Sequence, residues 1–397
     1  MNVRPPLGLK SPLRIPHKLL MGPGPSNSSP RILNALSQPI LGHMHSELFD
    51  KLHFFQIMDE IKKGIQYVFQ TNNQLTLAIS ASGHAGMEAV LCNLLEPHDV
   101  VLILINGIWG ERAANLAERY GAIVRKLVKT ALGSNFSIIE IENAVKIHQP
   151  KLLFVVQGES STGIYQPIIG IGEITRRYNC LLVVDTVASL GAVPFLMDKW
   201  KVDAAYSGSQ KIIGAPPGLA PISFNERALK TIANRKTPIP VYFWDITLLG
   251  QQWNCFERSA PRLYHHTTSA TLLYGLREGL AVIADEGLEQ VIKRHQHCAA
   301  QLYEGIEALG MQLYVDEEHK RLPSVTTIKV PDGVDWRKVT EYAMKRYKLE
   351  ISGGLGPTAG KVFRVGIMGY NATQENIVFV LDVLKEALKH SVTSSKL

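Results

Sequence analysis

Cysteine is scarce in this 397-residue chain: Cys92, Cys180, Cys255 and Cys298 are its four, with no CxxC pair and no regular spacing. That excludes a disulfide framework and a cysteine-built zinc site, and it points to a reducing compartment. Long apolar runs are absent too. The richest stretches, Val100–Ile105 and Leu152–Val156, have the length of strands, well short of the ~18 residues of a spanning helix. Charge of one sign is nowhere concentrated. The 42 Lys+Arg against 35 Asp+Glu leave a net +7, scattered in short pairs such as Lys62-Lys63 and Arg176-Arg177. A nucleic-acid-binding face gathers such charges into one patch, so small molecules are the expected partners, with anions favoured by a mild positive field. His43 with His45, and His265 with His266, lack further ligands at metal-binding spacing, so no metal is expected. There is no internal repeat and no low-complexity tract.

What is present is core-forming material. Hydrophobic residues make up 46% and charged residues 19%, which excludes disorder as the dominant state. The length is more than one compact core usually holds. From about Gln74, short apolar runs alternate with helical patterns. Strands are expected at Leu75–Ser80, Val100–Ile105, Ala122–Val128, Lys151–Gln157, Leu181–Asp185, Ala204–Ser207 and Pro221–Phe224. Helices are expected at Gly86–Leu95, Glu111–Tyr120, Ile138–Ile147 and Ile171–Tyr178. Apolar strands buried on both faces and separated by amphipathic helices predict an α/β fold with a mostly parallel sheet. In such sheets ligands gather at the strands' carboxyl ends. After Leu272 a long helical stretch, broken near Glu286-Gly287, leads into shorter strands (Val325–Val330, Val362–Met368) and helices (Trp336–Tyr347, Thr373–Lys389). The expected division is an extended N-terminal arm (1–21), a large domain (22–286) and a smaller C-terminal α+β domain (287–397).

The ends carry their own readings. Pro5, Pro6, Pro12 and Pro16 disfavour helix near the start, and neither a secretory nor a transit-peptide pattern is there. The arm is expected on the surface or on a partner subunit. The last three residues, Ser395-Lys396-Leu397, are the tripeptide read by peroxisomal import receptors; peroxisomal localisation is the expectation, a frayed helix end the alternative.

Five places can carry chemistry. Lys211, in Ser207-Gly208-Ser209-Gln210-Lys211, ends a strand among small residues; it is a surface charge or a buried amine. Asp185 closes an apolar strand and needs a partner; it is a turn cap or the mate of a protonated ring nitrogen. Ser82-Gly83-His84 lies between a strand and a helix; it is an ordinary N-cap or a phosphate cradle. Trp109, bracketed by Gly107 and Gly110, packs or stacks on a flat ring. Arg364 shares a strand face with Val362 and Gly366, so it forms a structural ion pair or grips a carboxylate. Together these are the parts for holding pyridoxal phosphate.

In these residues, and in Met21–Asn27, Asn106–Trp109, Gly158–Gly163, Val184–Ser189, Tyr264–Thr267 and Gly353–Gly356, the chain resembles the class V aminotransferases of fold type I along nearly its full length. The resemblance implies a seven-stranded-type sheet between helices and pyridoxal 5'-phosphate as cofactor. It implies transamination of alanine or serine with glyoxylate, in a homodimer with shared active sites. Residue by residue, it implies that Lys211 carries the cofactor and moves the proton, and that Asp185 pairs with the ring nitrogen. Trp109 stacks on the ring, and Ser82, Gly83, His84 and Gln210 bind phosphate with Tyr264 and Thr267 of the other subunit. Ser160 and Val187 touch the cofactor, while Arg364, Gly24, Ser160 and Ser189 serve the substrate. Two rival readings are a relative acting on kynurenine or 3-hydroxykynurenine, and a binding protein of the same fold without turnover. Cysteine desulfurases share the fold, but no loop here presents a nucleophilic cysteine.

Overall fold

The computed structural model of the protein describes residues 4, 6–42, 48–129, 133–256 and 262–391. His43, His45 and the tripeptide Ser395–Leu397 lie outside the described residues.

Seven strands form the central sheet: β1 (Leu75–Ile79), β2 (Val100–Ile105), β3 (Ile123–Val128), β4 (Leu152–Val156), β5 (Leu181–Asp185), β6 (Ala204–Tyr206) and β7 (Ala220–Phe224), in the spatial order β1-β7-β6-β5-β4-β2-β3. All neighbours are parallel except β7, which runs antiparallel to both β1 and β6. Every residue of β1, β4, β5 and β7 is buried, as helices on both faces require. At the open edge, β3 carries exposed Arg125 and Lys126, charges that discourage strand addition.

The helices between the strands start earlier than their apolar periodicity predicts. One spans Gly83–Leu94 and another Ile108–Arg119. In both, the first turn is made of glycine and residues that face the sheet's carboxyl edge, so it carries no amphipathic pattern. The helix Ile138–His148 has a local start signal, a capping box between Ser137 and Glu140. A 22-residue helix, Leu48–Phe69, precedes the region where alternation was expected. Met58, Ile61, Ile65 and Val68 are fully buried from it at helical spacing.

The predicted break at Gly287 is real. Its φ of 87° ends the helix Ala270–Glu286 and begins the helix Leu288–Ala308. That second helix bridges two hydrophobic clusters, with Val291 in the first and Leu302 and Ile306 in the second. The second cluster is built on an antiparallel sheet of β8 (Val325–Lys329), β9 (Ser352–Gly353) and β10 (Val362–Gly366), with β10 in the middle. The helices Trp336–Tyr347 and Gln374–Lys389 pack there.

The N-terminal segment is not extended throughout. Leu7–Lys10 form a 3-10 turn, and residues 11–18 are exposed. Leu19 and Leu20 pair in parallel with Leu349 and Glu350, and Met21 is fully buried in the second cluster. This carries Pro23 and Gly24 past the carboxyl edge of the large sheet.

Candidate active site

The carboxyl ends of β1, β2, β4, β5 and β6 open on a cavity of about 160 Å³. It is lined by Ser82, Gly83 and His84 after β1, Trp109 after β2, Ser160 after β4, Asp185 and Val187 at β5, and Gln210 and Lys211 after β6. Nine residues picked from the sequence thus come from five chain segments to one place, where parallel sheets bind ligands.

Asp185 is the last residue of β5 and only 4% exposed. Its Oδ1 accepts from the Val187 N–H at 2.8 Å, and its Oδ2 from the Tyr206 hydroxyl at 2.5 Å. Burial raises its pKa to about 6 against these two donors and nearby Lys211. No cation lies within ion-pair distance of it among the described residues. Lys211 is half-buried, with its amine turned inward to the Pro23 carbonyl. Burial, then the charge of Arg364, lower its pKa to about 8, with Asp185 pulling the other way. Its Nζ donates to the Pro23 carbonyl. A Cβ on Gly24 would fall on that same Nζ, so only glycine lets the arm pass here.

The helix Gly83–Leu94 has Ser82 as N-cap without a capping side-chain bond, leaving its first N–H groups turned to the cavity. A Cβ on Gly83 would meet Val187 and Gly208, and one on Gly208 would meet Gln210. The two glycines leave a hollow at the positive end of the helix, suited to a phosphate. Gln210 Oε1 is buried there with no partner among the described residues. His84 has its pKa lowered by burial and by Arg112, which favours the neutral imidazole.

Trp109 is held from both sides. Its indole Nε1 donates to Ser160 Oγ at 2.9 Å, and its backbone N–H to Glu159 Oε2 at 3.0 Å. Arg364 reaches in from β10, 7% exposed, with Nε donating to the Gly353 carbonyl at 2.8 Å and Nη1 to the Ser160 carbonyl at 3.2 Å. Among the described residues no carboxylate sits within ion-pair distance of it, which removes the structural salt bridge as its explanation. A buried guanidinium bonded only to carbonyls keeps donors for an incoming carboxylate.

Pyridoxal phosphate fits these residues. An uncapped helix end over two glycines suits its phosphate, and a buried carboxylate without a cation suits its ring nitrogen. The amine of Lys211, more easily deprotonated than an exposed lysine, suits its aldehyde.

Three expected contacts lie elsewhere in this chain. The Ser189 hydroxyl is fully buried and donates to Gln157 Oε1 at 2.7 Å, beneath the cavity rather than in it; this corrects its placement at the substrate. Tyr264 and Thr267 do not line the cavity; their hydroxyls bond each other at 2.9 Å on an exposed stretch. Two buried groups were missed. Tyr206 stands directly across the strand pair from Asp185, and a hydroxyl ending an apolar strand is a legible sign that a partner is needed. Glu159 is fully buried beneath Trp109, and nothing local in Gly158-Glu159-Ser160-Ser161 tells it from a solvated turn.

The family model for class V aminotransferases matches residues 19–380. An alanine–glyoxylate aminotransferase of Drosophila melanogaster is 57% identical over 392 residues, covering 98% of this chain and 97% of the relative. One from Callithrix jacchus is 50% identical over 388 residues, covering 98% and 92%. The crystal structure of an alanine–glyoxylate aminotransferase from Nostoc sp. superposes with a TM-score of 0.90 at 43% identity, covering 95% of this chain and 97% of that one.

The Lys211 environment has a direct consequence. In cofactor-free protein, the rate of Lys211 acylation, read by peptide mass spectrometry against pH, should rise with a midpoint near pH 8, where exposed lysines are still protonated. A midpoint above pH 10 would contradict the environment described.

Proposed function

The chain belongs to the class V aminotransferase family, and from that membership and its site we propose that it transfers the amino group of alanine to glyoxylate, giving pyruvate and glycine, with serine as a second donor. The observation that carries the reading is the meeting of Lys211 and Asp185 in one cavity, with the Arg364 guanidinium bonded to the carbonyl of the lining residue Ser160 and close enough for its charge to act on Lys211. The chain is an enzyme, and its cofactor is pyridoxal phosphate.

The bound cofactor supplies an electron sink for the pair left behind when the amino acid gives up its α-proton. Everything else falls to the chain. The helix end at Gly83, with Ser82, His84 and Gln210, would anchor the phosphate. Asp185, whose charge is supported by Tyr206 and the Val187 N–H, would keep the ring nitrogen protonated. Trp109 and Val187, which line the same cavity, would hold the ring. Arg364 would fix the substrate carboxylate, so that the α-hydrogen is presented to Lys211. Lys211 Nζ would take and hand back that proton, a role that suits an amine with a pKa of about 8. One buried arginine favours substrates with a single carboxylate. The kynurenine reading is not favoured, because relatives at 50–57% identity are named for alanine and glyoxylate.

Two further proposals concern assembly and address. The stretch around Tyr264 exposes Tyr242, Phe243, Phe256 and Leu263, an apolar surface that supports pairing of two copies, with Tyr264 and Thr267 then lent to the neighbour's phosphate. Ser395-Lys396-Leu397 supports recognition by a peroxisomal import receptor.

Purified, cofactor-saturated protein should turn over alanine plus glyoxylate with a higher kcat/KM than 3-hydroxykynurenine plus glyoxylate. A strong preference for the aromatic donor would overturn the substrate assignment. Arg364→Lys should raise KM for the amino acid about tenfold or more, since an ammonium loses one of two charge-assisted bonds. An unchanged KM would move the carboxylate site elsewhere. A fluorescent fusion ending in residues 395–397 should collect in peroxisomes and become diffuse when they are removed; identical distributions would refute the address.

A further inference from the structure

The helix that carries Trp109 starts without a cap of its own. Its N-cap is Gly107, and a side chain there would run into the Glu159 carboxylate. The missing cap comes instead from a loop some fifty residues later. Glu159 Oε2 accepts from the Trp109 N–H at 3.0 Å, and Ser161 Oγ accepts from the Ile108 N–H at 3.1 Å. Glu159 Oε1 in turn accepts from the Ser161 N–H at 3.0 Å and its hydroxyl at 2.6 Å. A carboxylate at this end also meets the positive pole of the helix. The next residue, Ser160, takes the indole N–H on its hydroxyl and the Arg364 guanidinium on its carbonyl. Thr358, from the second cluster's side, donates to the Ser161 carbonyl at 2.7 Å.

We propose that Glu159 is a positioning residue: it sets the plane of the Trp109 indole and, through the Ser160 carbonyl, the reach of Arg364, so that one loop aligns cofactor and substrate. The proposal deepens the aminotransferase reading and rests on it for what the ring and the guanidinium hold. Three donors converge on the two oxygens of Glu159, which favours a carboxylate there against the burial that raises its pKa to about 7. An amide in its place has one acceptor and would turn an N–H₂ toward either Trp109 or Ser161, both of which donate. The carboxylate is fully buried, and it is the negative group that Arg364 feels. It does not line the cavity, so it acts there through Trp109, Ser160 and the charge that Arg364 feels.

Glu159→Gln is the test. In cofactor-free protein the near-ultraviolet circular dichroism of Trp109, isolated by difference against Trp109→Phe, should lose its parent shape. Titration with pyridoxal phosphate should show several-fold weaker binding, because the indole no longer stands pre-set for the ring. KM for alanine should rise several-fold while kcat falls less. In a Trp109→Ala background, Glu159→Gln should lose most of its effect on cofactor affinity, because the ring it positions is gone. A lowered melting temperature with an unchanged Trp109 signal and unchanged cofactor affinity would overturn the proposal, as would effects that simply add in the double variant. Should Glu159→Gln fail to fold, Ser160→Ala frees the indole from its other end. It should shift the same Trp109 signal in cofactor-free protein, and an unshifted signal refutes the arrangement. Failure of the parent protein to transaminate would refute the function while leaving the indole measurement to stand.

Discussion

Asp185 stands at the carboxyl end of a strand buried on both faces, where ionisation is opposed by the loss of water around the carboxylate. Two donors offset part of that loss, the Tyr206 hydroxyl and the Val187 N–H. Its pKa rests at about 6, so the group is ionised at neutral pH, with no cation within ion-pair distance among the described residues. Lys211 lies on the same cavity with an amine that gives up its proton near pH 8. Between those two values the cavity holds a fixed negative charge and a base that is easily freed. Burial supplies the freed base, by lowering the amine, and opposes the charge on the acid, which persists because the Tyr206 hydroxyl and the Val187 N–H offset part of that penalty. A site open to water would keep the carboxylate but not the readily freed base.

The surrounding architecture maintains that burial. Five parallel strand ends bring the walls together, the antiparallel β7 covers β6 and β1 on their shared side, and the arm closes the remaining face with Pro23 and Gly24. Arg364 arrives from the second cluster and docks on carbonyls at Gly353 and Ser160. The two clusters therefore meet at the guanidinium proposed to hold the substrate, and on that proposal their relative placement and the substrate's orientation are one constraint. His295 strengthens the same junction. Fully buried and kept neutral by a pKa lowered to about 4, it accepts the Gly369 N–H at 3.0 Å. Arg294 beside it holds the Gly369 and Ala372 carbonyls.

Legibility in the sequence tracked how local each cause was. Val100–Ile105, Leu181–Asp185 and Trp336–Tyr347 match their expected bounds because apolar runs and periodic faces mark them. Lys211, Asp185 and Ser82–His84 were visible because each breaks an apolar or small-residue context at a strand end. The reversed direction of β7 was not, since five buried residues, four of them apolar, carry no sign of polarity along the sheet. The helix starts at Gly83 and Ile108 were set late because a cavity ligand or a distant side chain satisfies them, not their neighbours. Glu159 and Tyr206 were missed for the same reason: their partners are tens of residues or a strand away, and a glutamate between glycine and serines looks solvated until the fold closes over it.

The central claim is that the buried amine at position 211 is the group that bonds to the cofactor. The direct measurement is to load cofactor-free protein with pyridoxal phosphate, reduce it with borohydride, digest it and locate the covalent label by mass spectrometry. The account requires one label per chain, on the peptide containing Lys211. A label on any other lysine, or none in protein that remains active, would contradict it.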